Sequence, residues 1–505
     1  MTPETSSEFA GFQRAWTAGR PQVVVRRLVD DLETPVSAFL KVGYGRPYAV
    51  LLESVEGGAV NGRYSIIARD PDVVWRCRDG RAESARRADL VAGRFTAEPG
   101  DALSSLRALM SRSRFDLPDG LPPMAAGLFG VFGYDMVRLL EPLGAPNPDP
   151  LDLPDAVLTR PSLVAIFDSV QHEIVLAAAA FPDGGSDAAT AFAAAIQRLD
   201  QFEAELRAPL PLLPSAGISA AAEFASPVDA ADYTALVERA KDYIGAGDIF
   251  QVVLSHRFAG AWRGDPFAFY RSLRRSNPSP YLFFLDFGEF QLAGSSPEIL
   301  VRLKDGRVTI RPLAGTRPRG DTAEADRALE AELLADPKER AEHLMLLDLG
   351  RNDVGRVAAP GTVEVMESFR IERYSSVMHI VSEVQGDARA GLDAVDALLA
   401  ALPAGTLSGA PKVRAMEIID ELESVKRGVG YGGGVGYISA GGEADICIVL
   451  RTALFADGKI HIQAGAGVVA DSDAAAEYAE TLAKARAPMR AAEDAWRYPC
   501  PASQD

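Results

Sequence analysis

Cysteine, basic charge and long apolar runs are all scarce in this chain of 505 residues. Its three cysteines, Cys77, Cys447 and Cys500, lack CxxC spacing, which argues against a zinc site or a disulfide framework. A net charge of −18 argues against binding to nucleic acid or to an anionic membrane. Apolar runs such as 174–181 are too short to span a bilayer, and residues 1–16 lack the features of a secretory signal. We therefore expect a cytoplasmic protein.

The composition indicates a globular protein with a large core, since 48% of the residues are hydrophobic and 24% are charged. A stretch rich in proline, alanine and serine divides the chain and is typical of a linker. We predict five regions in chain order: an N-terminal arm (1–20), an N-terminal region (21–208), a linker or long loop (209–228), a C-terminal region (229–492) and a C-terminal tail (493–505).

The pattern of strands and helices predicts an α+β fold. Strand-like runs in the C-terminal region are joined by hairpin signals such as 304–306 and 456–458, which favours antiparallel sheets. Helices are predicted at four places in this region: 322–350, 391–402, 409–424 and 473–494. We expect two antiparallel sheets packed as a sandwich, with helices on the outer faces. The N-terminal region alone has an incomplete set of strands, so both halves should contribute to one structure.

Two pairs of glutamates, Glu339/Glu342 and Glu477/Glu480, lie in segments that are predicted to be helical. Residues three apart share one helical face, so each segment presents a pair of carboxylates. Two pairs that converge would need a cation between them, and an all-oxygen cluster suits Mg²⁺. A single Glu-x-x-Glu is more often a solvated helix surface. Here the same segments carry further groups that bind anions or metals: His343, Arg351, Asn352, Asp353, Lys484 and Arg486.

Three glycine-bearing loops, 312–320, 404–412 and 463–467, lack the closing Gly-Lys-Ser/Thr of a phosphate-binding loop. Glycines allow backbone amides to approach an anion, although each loop alone could be an ordinary turn. Arg451 and Lys484 alternate along the chain with these loops and with the glutamate helices. A pocket of this composition suits a small dicarboxylate that bridges a metal and the protein.

Ten motifs in order over 248–486 resemble the chorismate-utilising enzyme family, and within it the members that form anthranilate. They include GSSPE (294–298), PLAGT (312–316), VMHIV (377–381), PAGTLSGAP (403–411), DICIVLR (445–451) and EYAETLAKAR (477–486). LLES at 51–54 and GRYSII at 62–67 extend the resemblance over nearly the whole chain.

The resemblance implies a role for each matching position. Glu342 and Glu480 would be the principal Mg²⁺ ligands, supported by Glu339 and Glu477. Glu298 would protonate the departing C4 hydroxyl, which is otherwise a poor leaving group. The carboxylates of chorismate would be held by Arg451, Lys484 and the amides of Ala464, Gly465, Ala466 and Gly467, with Tyr431 nearby. The ring would be lined by Gly315, Thr316 and Thr406. His379 would assist the aromatising step.

Two positions select among family members. Relatives that add water at C2 carry a lysine where this chain has Gln251, and relatives that aminate at C4 carry a lysine where it has Ala314. Together they imply amination of chorismate at C2, which gives anthranilate and pyruvate. No cysteine lies in a Gly-x-Cys-x-Gly elbow, so ammonia should come from a glutamine amidotransferase subunit, in an expected heterotetramer. The alternatives are aminodeoxychorismate synthase component I, which Ala314 disfavours, and a non-catalytic amino-acid-sensing subunit.

The resemblance also implies feedback inhibition by L-tryptophan at a separate site. The LLES and NPSPY segments would supply its residues: Leu52, Glu53, Ser54, Asn277, Pro280, Tyr281 and Leu282. Glu53 could pair with the ammonium group, while apolar side chains enclose the indole. On the residues alone, LLES could equally end a buried strand and NPSPY could be a proline-rich turn.

Overall fold

The computed structural model describes residues 3–56, 60–182, 185–213, 222–374 and 377–501. Of the predicted linker 209–228, residues 214–221 lie outside the described residues, as do residues 1–2 of the arm and 502–505 of the tail. The helices in these ranges are α1 (Pro3–Thr17), α2 (Pro35–Val42), α3 (Arg87–Leu90), α4 (Ala102–Ser113), α5 (Ala188–Arg207), α6 (Ala230–Ala246), α7 (Pro266–Ser276), α8 (Ala323–Ala335), α9 (Pro337–Val357), α10 (Ala394–Ala401), α11 (Lys412–Leu422) and α12 (Ala474–Asp494). The strands are β1 (Gln22–Val29), β2 (Val50–Glu56), β3 (Val60–Arg78), β4 (Arg81–Arg86), β5 (Thr96–Ala97), β6 (Gly127–Phe132), β7 (Ala156–Asp168), β8 (Glu173–Ala180), β9 (Gln251–Ala261), β10 (Tyr281–Asp286), β11 (Gln291–Ser296), β12 (Ile299–Lys304), β13 (Arg307–Ile310), β14 (Leu313–Pro318), β15 (Glu364–Arg373), β16 (Val377–Asp387), β17 (Gly409–Ala410), β18 (Gly434–Ser439), β19 (Ala444–Ile448), β20 (Thr452–Ala456) and β21 (Lys459–Val468).

These strands form one antiparallel hydrogen-bonded network with two branches that share β3 and β7. One branch runs β17-β9-β21-β20-β11-β10-β2-β3-β7-β8-β1, and the other runs β5-β4-β3-β7-β6-β18-β19-β12-β13-β16, with β14 and β15 both pairing to β16. Phe283 on β10 and Val435 on β18 belong to different branches but lie in the same buried apolar cluster. The mixed helix and antiparallel sheet fold confirms the predicted α+β class.

Strands from both halves of the chain pair with each other, as expected from the incomplete N-terminal set. In the β2–β10 pair, Glu53 lies opposite Leu282, and in the β6–β18 pair, Gly130 lies opposite Gly436. The sequence division at 209–228 therefore does not separate the hydrogen-bonded sheets.

The predicted helix over 322–350 is instead two helices, α8 and α9, separated at Asp336. Proline disfavours a helical conformation in the preceding residue, and Asp336 before Pro337 has an extended backbone (φ −68°, ψ 114°). The Asp336 side chain accepts hydrogen bonds from the amides of Lys338 and Glu339, which caps α9. The break therefore places Glu339 and Glu342 at the start of a helix.

None of the helices in the described ranges is both long and apolar enough to cross a membrane. Every residue of β6 and β7 is buried. The two branches share β7, and β6 pairs with it, so both strands lie next to the point where the branches meet.

Candidate active site

A cavity of about 640 Å³ lies between the start of α9, α12 and the ends of several strands. It gathers residues that are more than 200 positions apart in the sequence, from Gln251 to Lys484. The predicted catalytic, substrate-binding and metal residues that line it are Glu298, Gly315, Thr316, Glu339, Glu342, His379, Thr406, Tyr431, Arg451, Ala464, Gly465, Gly467, Glu477, Glu480 and Lys484. Ala466 belongs to the same strand segment but is not part of the lining.

Glu298 is a buried carboxyl that follows β11 in the Gly-Ser-Ser-Pro-Glu turn. The Thr406 hydroxyl donates to it and lies 3.2 Å from each carboxylate oxygen. Burial raises the pKa of Glu298 to about 8, although Thr406, a backbone amide and the charge of Arg451 each lower it. The side chain is therefore mostly protonated at neutral pH, as a general acid must be.

His379 lies on β16 and is held by its Nδ1 atom, which is 2.9 Å from the carbonyl oxygen of Gly315. A carbonyl can only accept, so Nδ1 carries the proton and Nε2 has a free lone pair. Nε2 is buried and has no hydrogen-bond partner among the described residues. Burial lowers the pKa of His379 to about 4, so the ring is neutral and Nε2 can accept a proton from a ligand.

Arg451 presents a positive charge in the cavity, directly before the start of β20. Its backbone is in the left-handed region (φ 49°), which is unfavourable for a non-glycine residue and is common at functional sites. Burial lowers the pKa of its guanidinium, and no carboxylate in the described part of the chain forms an ion pair with it. A buried cation without an ion-pair partner suits an anionic ligand.

The opposite side of the cavity combines Lys484 with glycines of β21. Lys484 Nζ donates to the Gly465 carbonyl oxygen at 3.0 Å and pairs with Glu480 at 2.7 Å. A β-carbon at Gly465 would lie 2.9 Å from the Tyr431 hydroxyl, and one at Gly467 would lie 2.7 Å from the amide nitrogen of Gln251. Glycine is required at Gly465, where a β-carbon would also lie 2.6 Å from the Leu254 carbonyl oxygen, whereas the Gln251 side chain at Gly467 is flexible and could move aside.

The two glutamate pairs converge on this cavity from α9 and α12, as the spacing predicts. Burial, followed by the charges of Glu339 and Glu480, raises the pKa of Glu342. The carboxylates are thus close enough to repel each other. Cations already balance two of them: Arg317 lies 3.1 Å from Glu339, and Lys484 lies 2.7 Å from Glu480.

No group of three or more His, Cys, Asp or Glu side chains in the described part of the chain is arranged to hold a metal ion by itself. A hard cation here would therefore take few protein ligands and complete its shell with substrate oxygens and water. Magnesium commonly binds in that way.

Other polar residues of the two glutamate segments serve the packing instead. His343 is fully buried and its Nε2 lies 2.6 Å from the Ser382 hydroxyl. Asp353 forms a buried ion pair with Lys412 at 2.7 Å. The remaining three, Arg351, Asn352 and Arg486, are exposed.

Two polar residues of the lining, Lys338 and Gln463, had no predicted role, and Asn277 was predicted for the tryptophan site instead. Gln463 is the first residue of the glycine-bearing loop 463–467, and its amide donates to the Ser255 hydroxyl at 2.9 Å. Its place on a strand that ends in that loop was the available signal. Gln251 also lines the cavity, and its Oε1 atom is buried with no partner in the described residues.

A second cavity of about 770 Å³ contains most of the residues predicted for tryptophan. Those residues are Leu52, Glu53, Ser54, Pro280, Tyr281 and Leu282. Asn277 lies instead in the lining of the first cavity. Pro297 and Leu313 line both cavities, so a thin wall separates them.

Glu53 is already engaged within the protein. Arg274 donates from Nε to Oε2 at 2.7 Å and from Nη2 to Oε1 at 2.9 Å, and the Tyr270 hydroxyl also donates to Oε2. The side chain of Glu53 is 3% exposed, so a ligand ammonium would meet a carboxylate that has two partners. This arrangement does not favour the ammonium contact predicted for Glu53.

Comparisons with known proteins agree with this geometry. Residues 70–490 match the family described as chorismate binding enzyme. The chain is 57% identical over 492 residues to anthranilate synthase component 1 of Cereibacter sphaeroides, covering 97% of this chain and 98% of that one. It is 48% identical over 472 residues to anthranilate synthase component 1 of Pseudomonas aeruginosa, covering 91% and 93% respectively.

Solved structures give the same result for the fold. Anthranilate synthase component I from Streptococcus pneumoniae superposes with a TM-score of 0.76 at 38% identity, covering 85% of this chain and 92% of that chain. The menaquinone-specific isochorismate synthase of Escherichia coli shares the fold, with a TM-score of 0.70 at 19% identity over 97% and 99% of the two chains. By these matches and by the cavity they surround, the chain belongs to the chorismate-binding enzyme family, whose members act on chorismate.

Proposed function

We propose that this protein converts chorismate and ammonia to anthranilate, pyruvate and water. The observation that carries the proposal is the buried carboxyl of Glu298, whose pKa burial raises to about 8, in the same cavity as Arg451 and Lys484. An acid beside two cations suits an anionic substrate with a hydroxyl leaving group. The relatives with 45–57% identity over nearly the whole chain carry the name of the enzyme that forms anthranilate.

The reaction requires one proton donor and one proton acceptor, and the cavity offers both. Arg451 and Lys484 bind the carboxylates of chorismate, with Tyr431 nearby. Gly315, Thr316 and Thr406 line the ring. Glu298 gives its proton to the C4 oxygen, which leaves as water while ammonia forms a bond to C2 and both ring double bonds shift. The ammonium group formed at C2 returns a proton to the Glu298 carboxylate. His379 Nε2 then takes the proton from C2, the bond from C3 to the enolpyruvyl oxygen breaks, and the ring becomes aromatic. The departing pyruvate enolate gains a proton at its methylene carbon, which balances the proton taken by His379, and becomes pyruvate.

The choice of ammonia follows from two side chains. Gln251 lines the cavity but has no titratable amine, so it cannot activate water as a base. Ala314 lies beside Gly315 and cannot form the covalent adduct that a lysine there would form. Both exclusions favour a neutral amine nucleophile at C2.

Mg²⁺ is the cofactor that fits the carboxylates of this cavity. Glu342 and Glu480 would hold it, with Glu339 and Glu477 in support, because their mutual repulsion calls for a cation between them. The bound ion would polarise the ring carboxylate and so favour departure of the C4 oxygen. Arg317 and Lys484, which balance Glu339 and Glu480 in the ion-free arrangement, would have to release them.

The remaining parts of the proposal concern the protein's partners. A glutamine amidotransferase subunit would supply ammonia, in a heterotetramer. L-tryptophan would occupy the second cavity, which makes 21–208 the regulatory region and 229–492 the catalytic one. All three cysteines are buried free thiols, which suits the cytoplasm.

The experiment that tests the proposal is product identification by chromatography and mass spectrometry. The purified chain is incubated with chorismate, Mg²⁺ and ammonium at alkaline pH, where free ammonia is available. Anthranilate is the expected product. Isochorismate or aminodeoxychorismate would assign the chain to another reaction of the family, and no turnover would support a sensing subunit.

A further inference from the structure

Directly behind the active-site cavity lies a buried ion pair between Glu423 and Arg427, which are 6% and 3% exposed. Arg427 Nε donates to Glu423 Oε2 at 2.9 Å, and its Nη2 donates to Oε1. The amide and the hydroxyl of Ser255 also donate to Oε1, at 2.7 Å and 2.9 Å. Neither charged side chain belongs to the cavity lining, so the pair does not contact the substrate.

The guanidinium of Arg427 holds two walls of the cavity through their backbone. Its Nη1 donates to the Leu407 carbonyl oxygen at 2.6 Å, and its Nη2 donates to the Val253 carbonyl oxygen at 2.7 Å. Leu407 ends the 3₁₀ turn Gly405–Leu407, and Val253 lies on β9 two residues after Gln251. Both residues line the cavity.

Two further walls contact the same ion pair. The Arg427 guanidinium lies 5.4 Å from the centre of the Tyr431 ring, which forms part of the lining. Ser255, which donates to Glu423, accepts a hydrogen bond from Gln463 on β21 at 2.9 Å. One buried ion pair thus connects four separate segments of the cavity wall.

Stability alone does not explain this arrangement, because a buried ion pair often stabilises a fold no better than apolar side chains of similar volume. The planar guanidinium provides several donors in fixed directions, whereas a lysine provides a single point charge. In Arg427, those donors bind backbone carbonyl oxygens of residues that lie close in sequence to functional side chains. Leu407 follows Thr406, whose hydroxyl donates to Glu298.

We propose that Arg427, held in place by Glu423, is a positioning residue of the active site that fixes the Thr406 turn against Glu298 and aligns it with β9. The inference rests on the proposed function, since it assigns Arg427 an effect on proton transfer from Glu298. Arg427 acts through Thr406 and does not itself touch the reacting atoms.

The test is a double-mutant cycle between Arg427→Lys and Thr406→Val, with kcat and the KM for chorismate measured on the product that the wild-type protein forms. Displacing the turn by a fraction of an ångström is expected to lower kcat by about 10-fold to 100-fold, with a smaller change in KM. Because both substitutions disturb the Thr406 hydroxyl, the double variant should lose much less activity than the product of the two single losses.

Arg69→Lys is the matched control. Arg69 is 1% exposed and donates to the Val42 carbonyl oxygen at 2.7 Å and to Glu205 at 2.6 Å, but it does not line the cavity. Its replacement should lower the melting temperature, leave kcat unchanged and combine multiplicatively with Thr406→Val. A folded Arg427→Lys protein that behaves in this way would overturn the proposal.

Should Arg427→Lys fail to fold, Ser255→Ala decides the question, since it removes the hydroxyl that donates to Glu423 and accepts from Gln463. We expect kcat to fall by about threefold to tenfold, non-additively with Thr406→Val. An unchanged kcat in folded Ser255→Ala would refute the positioning role. The identity of the wild-type product reports separately on the proposed function.

Discussion

Replacing Glu298 by Gln should stabilise the protein at neutral pH while removing its activity. The pKa of Glu298 is raised from an ordinary 4.5 to about 8 by burial. Above pH 4.5 the unfolded chain releases this proton and the folded chain keeps it, so stability falls by about 1.4 kcal/mol per pH unit until the folded pKa is reached. The loss amounts to about 3 kcal/mol at pH 7. Glutamine has no ionisable proton, so the Glu298→Gln protein does not undergo this loss of stability.

The assay is urea denaturation of the wild-type and Glu298→Gln proteins at pH 4.5, 6, 7 and 8. The difference in the free energy of unfolding should grow with pH in favour of the variant, because all other titrating groups are common to both proteins. Activity should fall by about 10²-fold to 10⁴-fold, since the amide cannot give a proton to the C4 oxygen. A difference in stability that is independent of pH would refute the protonated, buried state of Glu298.

Three further results are expected. Thr406→Val removes a hydrogen bond that lowers the pKa of Glu298, so the acid should stay protonated to a higher pH. The alkaline limb of the kcat profile should therefore move upward by about one pH unit. Ser408→Ala, next to the same turn, should leave the alkaline limb unchanged. Glu342→Gln and Glu480→Gln should each lower Mg²⁺-dependent activity by more than about 100-fold in a metal titration. Glu324 is an exposed glutamate on α8, and Glu324→Gln should leave that activity unchanged. Full activity of both the Glu342 and the Glu480 variant would exclude these two glutamates from the metal site. Ser54→Phe fills part of the second cavity and should abolish tryptophan inhibition with catalysis intact, while unchanged sensitivity would place the regulator elsewhere.

The local part of the fold could be predicted from the sequence, because hairpins and helix caps depend on neighbouring residues. The pairing of β2 with β10 could be anticipated only indirectly, since the two strands lie more than 200 residues apart. The break at Asp336 was predictable from Pro337, whose effect on the preceding backbone is local.

The active site, like the fold, could be predicted from the sequence only where its geometry depends on neighbouring residues. The i, i+3 spacing of Glu339 and Glu342 was sufficient to put both on one face, but a single step along a helix turns by about 100°, so the adjacent His343 faces the core. Glu423 and Arg427 could not be assigned from spacing. α11 ends at Leu422, and the chain then folds both side chains inward, where an i, i+4 pair would normally lie on a helix surface.

The central claim is amination of chorismate at C2, and isotope labelling tests it most directly. The protein is incubated with chorismate, Mg²⁺ and ¹⁵N-labelled ammonium, and the products are quantified by mass spectrometry. The account predicts anthranilate with one ¹⁵N atom and an equal amount of pyruvate. Unlabelled isochorismate, or a product that carries ¹⁵N at C4 and retains the enolpyruvyl group, would contradict it.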